Sequence, residues 1–537
     1  MSGCTGEYRA RDLPHGHQRA IAPDGEAYGR RSGEMSLPTF YTDQSLVVTV
    51  GGRALIKGEE ARQHYGLLEP RGPEILTEKP DHAADDPGRD GEEATLVSKA
   101  REESRTFRVS TLGCRVNRAD SLEIEKRLLA AGFRRSREGQ RPDVWVLNTC
   151  AVTAEGARKS RKAARRCARS GALVAVTGCA VEMDMRVFAD MPGVSLVVSN
   201  DAKQCLVEEL CPGARPRRHA GFTLPPDLVR VPVKVQDGCT RFCTYCIVPT
   251  LRGEERSRAI DSILEEIVWL RHAGAGEAIV CGIDLGSYAD PGSGVGLRGL
   301  VGEILRESGS MWVRLSSLEL SDVDDGLLEM MSDSGLCPHL HLPLQSGDDG
   351  VLERMGRKYT GRAFADRVAQ VRARVPAIAV TTDVMVGFPG ETESAFANTR
   401  DLLRELAIPR VHVFKYSPRE GTAAFHLGDP VEARTKEARA DELREVARAS
   451  ALRFNEGLLG RIIPVLVEAA MKHDPGVLFG RARNFCGVEL AGGTALIGKT
   501  VQVRITGADP RGLSGEVVAA SSGQYDRSRG MTGGSGD

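Results

Sequence analysis

Cys239, Cys243 and Cys246 stand in C-x3-C-x2-C spacing inside VKVQDGCTRFCTYCIVPTLRGEERSR, just after an apolar run. Three thiolates in one loop are one ligand short of a closed structural zinc site, which takes four ligands in a tetrahedron, and no fourth Cys or His lies in the loop. An iron–sulfur cluster with one iron left open to a substrate or cofactor fits this spacing better than zinc with a distant fourth ligand. Three more cysteines, Cys114 after FRVSTLG, Cys150 after VWVLNT and Cys179 after LVAVTG, each follow an apolar run of strand length. Open parallel sheets bind ligands at the carboxyl ends of their strands, so three thiols at such an edge suggest a second metal cluster. The plain alternative is that small apolar cysteines pack near strand ends. Cys167, Cys205, Cys211, Cys281, Cys337 and Cys486 have no matched partners and are expected to be ordinary thiols.

The elements that must position these groups follow from periodicity. From Phe107 to Leu210 strand-like runs alternate with amphipathic helices such as RADSLEIEKRLLAAGF, which predicts a parallel, helix-covered sheet over 105–211. The proline-rich 212–227 reads as a linker. Over 228–457 six apolar runs (VRVPVKV, EAIVCG, WVRLSS, HLHLPLQ, IAVTTDVMVGF, RVHVFKYS) with helices between them predict a partial (β/α)6 barrel. Over 458–521 short alternating strands (IIPVLVEAA, LFGRARNF, TVQVRIT, LSGEVVAA) with Gly-rich turns predict a small antiparallel β-barrel. Residues 522–537 read as a flexible tail and 1–104 as a disordered extension, where Ser45–Ile56 forms at most a hairpin with no partner surface.

Composition excludes several classes. At 537 residues the chain is too long for one core. Lys plus Arg number 72 against 73 Asp plus Glu, so any RNA contact must come from local charge. Thirteen cysteines are far too few for a disulfide scaffold. No run approaches the roughly 18 apolar residues of a membrane span, and Met1–Arg30 lacks the apolar core of a secretory signal, so a cytoplasmic location is expected.

Further motifs sit at predicted strand ends, where barrel enzymes build their sites: Ser316-Ser317-Leu318-Glu319, His341 to Gly347 with Gln345 inside it, and Gly387-Phe388-Pro389-Gly390-Glu391. The last could be a mere strand-ending turn. In this order, after the cysteine loop with Tyr245 before its last cysteine, they resemble the radical S-adenosylmethionine (SAM) enzymes. With TLGCRVNRADS, NTCAVTAEGARKSR and VTGC the likeness spans roughly 105–520 and narrows to the radical SAM methylthiotransferases, most similar to the branch that acts on threonylcarbamoyladenosine in tRNA. Arg118, Ala151 and Gly356 depart from the pattern expected of that branch; none is a ligand.

The resemblance implies three domains: an amino-terminal parallel α/β sheet domain, a radical SAM barrel and a carboxy-terminal TRAM barrel that binds RNA. It implies that Cys239, Cys243 and Cys246 hold a radical-generating 4Fe-4S cluster and that Cys114, Cys150 and Cys179 hold an auxiliary one. It further implies SAM contacts at Ser316, Ser317, Glu319, Gln345, Gly387, Pro389 and Gly390, tRNA as substrate, and a flavodoxin- or ferredoxin-type electron donor. No His–Asp or paired-carboxylate motif stands out, in keeping with cofactors that carry the hard chemistry. Enzymes of the same plan that modify isopentenyladenosine in tRNA or an aspartate of a ribosomal protein are the nearest alternatives. Outside that class stand a two-cluster electron carrier that binds RNA and a zinc-bound RNA-binding protein.

For RNA, Arg461, Arg481, Arg483, Lys499 and Arg504 mark the last barrel, with Phe479 and Phe485 interleaved. Arg158, Lys159, Arg161, Lys162, Arg165, Arg166 and Arg169 crowd one helix, where a solvated face is an equal reading. His339 and His341 share a strand face and are expected to be satisfied pocket histidines rather than metal ligands.

Overall fold

A computed structural model describes residues 47–50, 53–56, 105–210, 224–225, 228–332 and 335–520. The expected linker at 212–227 falls outside these except for 224–225, as do the tail at 522–537 and all of 1–104 but the two short strands.

The first sheet has seven strands in the order β2-β1-β7-β6-β5-β3-β4. These are β1 (Val47–Val50), β2 (Arg53–Ile56), β3 (Thr106–Thr111), β4 (Arg134–Arg135), β5 (Val144–Thr149), β6 (Leu173–Gly178) and β7 (Leu196–Val198). β3 to β7 run parallel. The hairpin expected near Ser45–Ile56 does have a partner surface: β1 pairs antiparallel with β7 through Thr49 and Val197, extending the sheet at its open edge. Helix Arg115–Ala130 lays Ile124 and Leu128 against Phe107, Val144 and Val146 of the sheet. Helix Ala154–Ala168 is capped by Thr153, whose hydroxyl accepts from Gly156 N at 3.0 Å. It buries Ala157, Ser160, Ala164 and Cys167 in a three-and-four-spaced stripe, which leaves most of its basic residues outward.

The middle region carries the six strands read from the apolar runs, as two three-stranded parallel sheets. One is β8 (Arg230–Lys234), β11 (Glu277–Cys281) and β12 (Trp312–Leu315); the other is β13 (His339–His341), β14 (Ala379–Val386) and β15 (Arg410–Lys415). Isolated parallel bridges between Val313 and Leu336 and between Ser317 and His341 join the halves. A small ladder of β9 (Gln236–Asp237) and β10 (Arg256–Ser257) frames the cysteine loop. One hydrophobic core underlies both halves, with Ile263, Ile267 and Leu270 of the helix Ile260–His272 packed with Val231, Val280 and Val313.

Helix Ala433–Glu456 packs on β15 and leads to a closed five-stranded barrel, β16 (Ile462–Met471), β17 (Asp474–Ala482), β18 (Gly487–Ala491), β20 (Gly512–Ala520) and β19 (Thr500–Asp509) in that order around it. The alternating runs predict four strands here. The fifth, GVELA, is short and glycine-led, with only two inward residues, Val488 and Leu490, to announce it.

Candidate functional site

Parallel register aligns the strand ends of the first sheet: Thr111 faces Asn148, and Thr149 faces Gly178. The residues that follow, Cys114, Cys150 and Cys179, therefore share one edge. Asn117 binds two of the three turns together, its amide donating to Leu112 O at 2.9 Å and to Thr149 O at 2.7 Å. The Thr149 hydroxyl donates to Thr177 O at 2.7 Å and accepts from Ala180 N at 3.2 Å, tying in the third. Gly113 is obligatory: its φ is +96°, and a Cβ there would stand 2.7 Å from the Cβ and Sγ of Cys150. Burial pushes the Cys150 thiol above its ordinary pKa, and Cys179 and Cys114 are close enough to push it the same way.

The second triad hangs from β9. Gly238 brings the chain within backbone contact of Glu254, and Cys239 N donates to Gly253 O at 3.1 Å. Burial pushes Cys239 up to about 11 and Cys246 up to about 12, with Cys243 adding like charge at both. Such thiols stay protonated until a metal displaces the proton. Arg357 donates to Cys243 Sγ at 3.4 Å, and Arg241 N to Cys239 Sγ at 3.5 Å. Among the described residues no three Cys, His, Asp or Glu side chains converge at single-ion spacing. A four-iron cube is wider than one ion and does not require that convergence.

The other expected residues cluster at the carboxyl ends of β12, β13 and β14. Ser316 is 5 % exposed and its hydroxyl has no partner, which leaves a buried donor free for a bound group. Ser317 bridges to His341. Glu319 is taken up by Arg357. Gln345 adopts a positive φ of 64° between Asp383 O and Met385 N. The turn at Gly387–Gly390 is held by the protein itself: Gly387 N donates to Glu391 Oε1 at 3.0 Å, Glu391 pairs with Arg439 at 2.6 Å, and Arg354 donates to Pro389 O and Gly390 O.

His339 and His341 both bond the Thr381 hydroxyl, and His341 and His412 flank Asp383 at 3.3 and 3.2 Å. Burial first, then Arg314, holds His339 well below its ordinary pKa. Phe485, at φ +73°, stacks on His339 with ring centroids 4.3 Å apart. Arg115, Arg230, Arg314, Arg410 and Arg481 surround its ring at 4.6 to 5.8 Å. Two of the five RNA candidates belong to this junction rather than to open surface: Arg481 pairs with Glu468 at 3.0 Å, and Arg483 donates to Leu336 O at 3.1 Å. Arg461, Lys499 and Arg504 are exposed, with Arg504 opposite Ile462 across β16 and β19.

Sequence reasoning missed Asn117, Asp120, Arg252, Glu277 and Arg357. Their partners lie in distant segments, and no local spacing announces them.

The fold and the three-cysteine loop define a radical SAM enzyme, and the family model described as "Radical SAM superfamily" matches residues 233–403. A second, "Uncharacterized protein family UPF0004", matches 106–199. The "Threonylcarbamoyladenosine tRNA methylthiotransferase MtaB" of Bacillus subtilis is 34% identical over 421 residues, covering 74% of this chain and 93% of its own. The same-named protein of Thermotoga maritima is 33% identical over 76% of this chain and 96% of its own. The "tRNA-2-methylthio-N(6)-dimethylallyladenosine synthase" of Moorella thermoacetica is 33% identical over 77% and 98%. The chain belongs to the radical SAM methylthiotransferase family, enzymes that use SAM and 4Fe-4S clusters. No helix among the described residues is long and apolar enough to cross a membrane.

Proposed function

We propose that this enzyme places a methylthio group on carbon 2 of N6-threonylcarbamoyladenosine beside the tRNA anticodon. Cys239, Cys243 and Cys246 hold one 4Fe-4S cluster and Cys114, Cys150 and Cys179 the other. When bound, SAM and the clusters supply the radical and sulfur chemistry that side-chain acids and bases lack. The six parallel strands serve as an open (β/α)6 barrel, and their ends at Ser316, Ser317, Glu319, Gln345, Gly387, Pro389 and Gly390 line the SAM site. The partnerless hydroxyl of Ser316 supports that placement.

The observation that carries the reading is the packing of one triad's loop on the other's. Ile247 and Leu251, one and five residues after Cys246, share a core with Cys179, Ala180 and Val181. The C-terminal barrel acts as the TRAM domain and meets RNA phosphates through Arg461, Lys499 and Arg504. A flavodoxin- or ferredoxin-type protein delivers the electron, and the enzyme works in the cytoplasm.

Mass spectrometry of tRNA nucleosides from cells with and without the gene tests this. Loss of 2-methylthio-threonylcarbamoyladenosine on deletion supports the reading. Loss of the dimethylallyl derivative instead moves the enzyme to the other branch represented among its relatives. No change in either nucleoside refutes both.

A further inference from the structure

Arg252 closes the helix Val248–Arg252, which begins two residues after Cys246, yet its side chain reaches into the first domain and is 2 % exposed. Nη2 donates to Asn117 Oδ1, and Nη1 lies 3.2 Å from Asp120 and 3.1 Å from Asp237. Asn117 is the residue whose amide holds Leu112 O and Thr149 O, just ahead of Cys114 and Cys150. An unbroken chain of hydrogen bonds thus runs from the loop of one triad to the turns of the other. Arg252 Nε, by contrast, is buried and has no partner. A buried guanidinium donor without a partner calls for an explanation such as a bound group; Arg419 Nε, beside Cys150, is another here, and Arg439 Nε and Arg483 Nε are likewise unpartnered.

The charge around it points the same way. Asp120 and Asp237 supply two negative charges against three positive ones from Lys203, Lys234 and Arg252. Glu182, within charge range of Lys203 and Arg252, makes three charges of each sign, so the three thiols that become anionic on binding metal bring the uncompensated charge. Burial opposes the charge on Arg252, and Cys179 and Cys114 once they are thiolates, with the carboxylates of Asp237 and Asp120, more than offset it.

We infer that Arg252 is a positioning residue that fixes the two cysteine triads relative to one another and donates through Nε to sulfur held on Cys114, Cys150 and Cys179. This rests on the assignment of that triad to a cluster. A planar guanidinium suits both tasks, since Nη1 and Nη2 can brace the domains while Nε stays free; a lysine offers charge without that fork.

The full-length chain with Cys239, Cys243 and Cys246 all replaced by Ala isolates the second triad. After anaerobic reconstitution, iron content and the midpoint potential of the remaining cluster, followed by electron paramagnetic resonance, are compared with Arg252→Lys and Arg252→Gln added. A donor and a positive charge beside a cluster favour its reduced form, so both variants should keep their iron and titrate at lower potential, Gln lower than Lys. Lys203 and Lys234 still pair Asp120 and Asp237 in the Gln variant, and Arg252→Lys keeps the full charge should Gln fail to fold. Full iron with an unmoved potential and spectrum in Arg252→Lys would overturn the inference alone. A parent that binds no iron would overturn the cluster assignment and the inference with it.

Discussion

Replacing Glu277 with glutamine removes the carboxylate shared by Arg230 and Arg314 while keeping its size. That carboxylate is fully buried and accepts from Arg230 at 2.7 Å and from Arg314 at 2.9 and 3.0 Å. Both arginines continue into the C-terminal barrel, Arg230 to Glu468 at 3.4 Å and Arg314 to Arg483 O at 2.8 Å. Burial by itself would raise the pKa of Glu277; Arg314 and Arg230 outweigh it and hold the group at about 2 instead of 4.5. With the folded value below the unfolded one, the contribution to stability is complete above about pH 4.5 and is lost as pH falls toward 2.

The drop in pKa corresponds to about 3 kcal/mol at neutral pH. Breaking a buried pair by neutralising one partner costs a similar ~3–5 kcal/mol. At a urea slope of ~3 kcal/mol per M, the transition that frees the C-terminal barrel should move down by about 1 M. Trp312, buried with Leu466 of that barrel, reports it by fluorescence once Trp145 and Trp269 are changed to Phe. Wild type and variant should differ at pH 7 and converge toward pH 2. Equal midpoints at pH 7 would refute the argument that this carboxylate anchors the junction.

Iron analysis after anaerobic reconstitution should show Cys243→Ala and Cys150→Ala each losing about half the iron, whereas Cys337→Ala, a buried thiol away from both triads, should lose none. Gly113→Ala, which forces a Cβ to 2.7 Å from the Cys150 sulfur at a positive φ, should lose the same half as Cys150→Ala; full iron there would show that the turn can open. In tRNA binding measured against salt, Arg461→Ser and Arg504→Ser should each lower the slope by about one. Arg483→Ser, whose guanidinium serves Leu336 O, should weaken the fold without changing that slope.

Much of the fold was legible because strands and helices write their period locally. FRVST, VWVLN and LVAVTG are apolar runs of strand length, and each became a parallel strand with its cysteine beyond the carboxyl end. The six middle runs were equally plain, though not the break between β12 and β13, where pairing shrinks to isolated bridges. The strand GVELA and the docking of Val47–Val50 on β7 were missed because a two-residue inward face and a single paired position leave almost no pattern. Arg481 and Arg483 read as an RNA surface because a basic residue looks alike whether it meets phosphate, a half-buried carboxylate such as Glu468 or a main-chain carbonyl such as Leu336 O.

The sequence by itself determined the chemistry available: six cysteines in two triads, the strand ends that present them, and the family whose motifs they match. Only the tertiary structure decided what joins them. Arg252 meets Asp120 across 132 residues and Asn117 across 135, and Arg314 meets the carbonyl of Arg483 across 169. Pairs so distant have no shared period, and a buried charge is indistinguishable in sequence from a solvated one until the chain has closed around it. Local hydrophobic spacing encodes elements, whereas the desolvated ion pairs that set one domain against another exist only once those elements have packed.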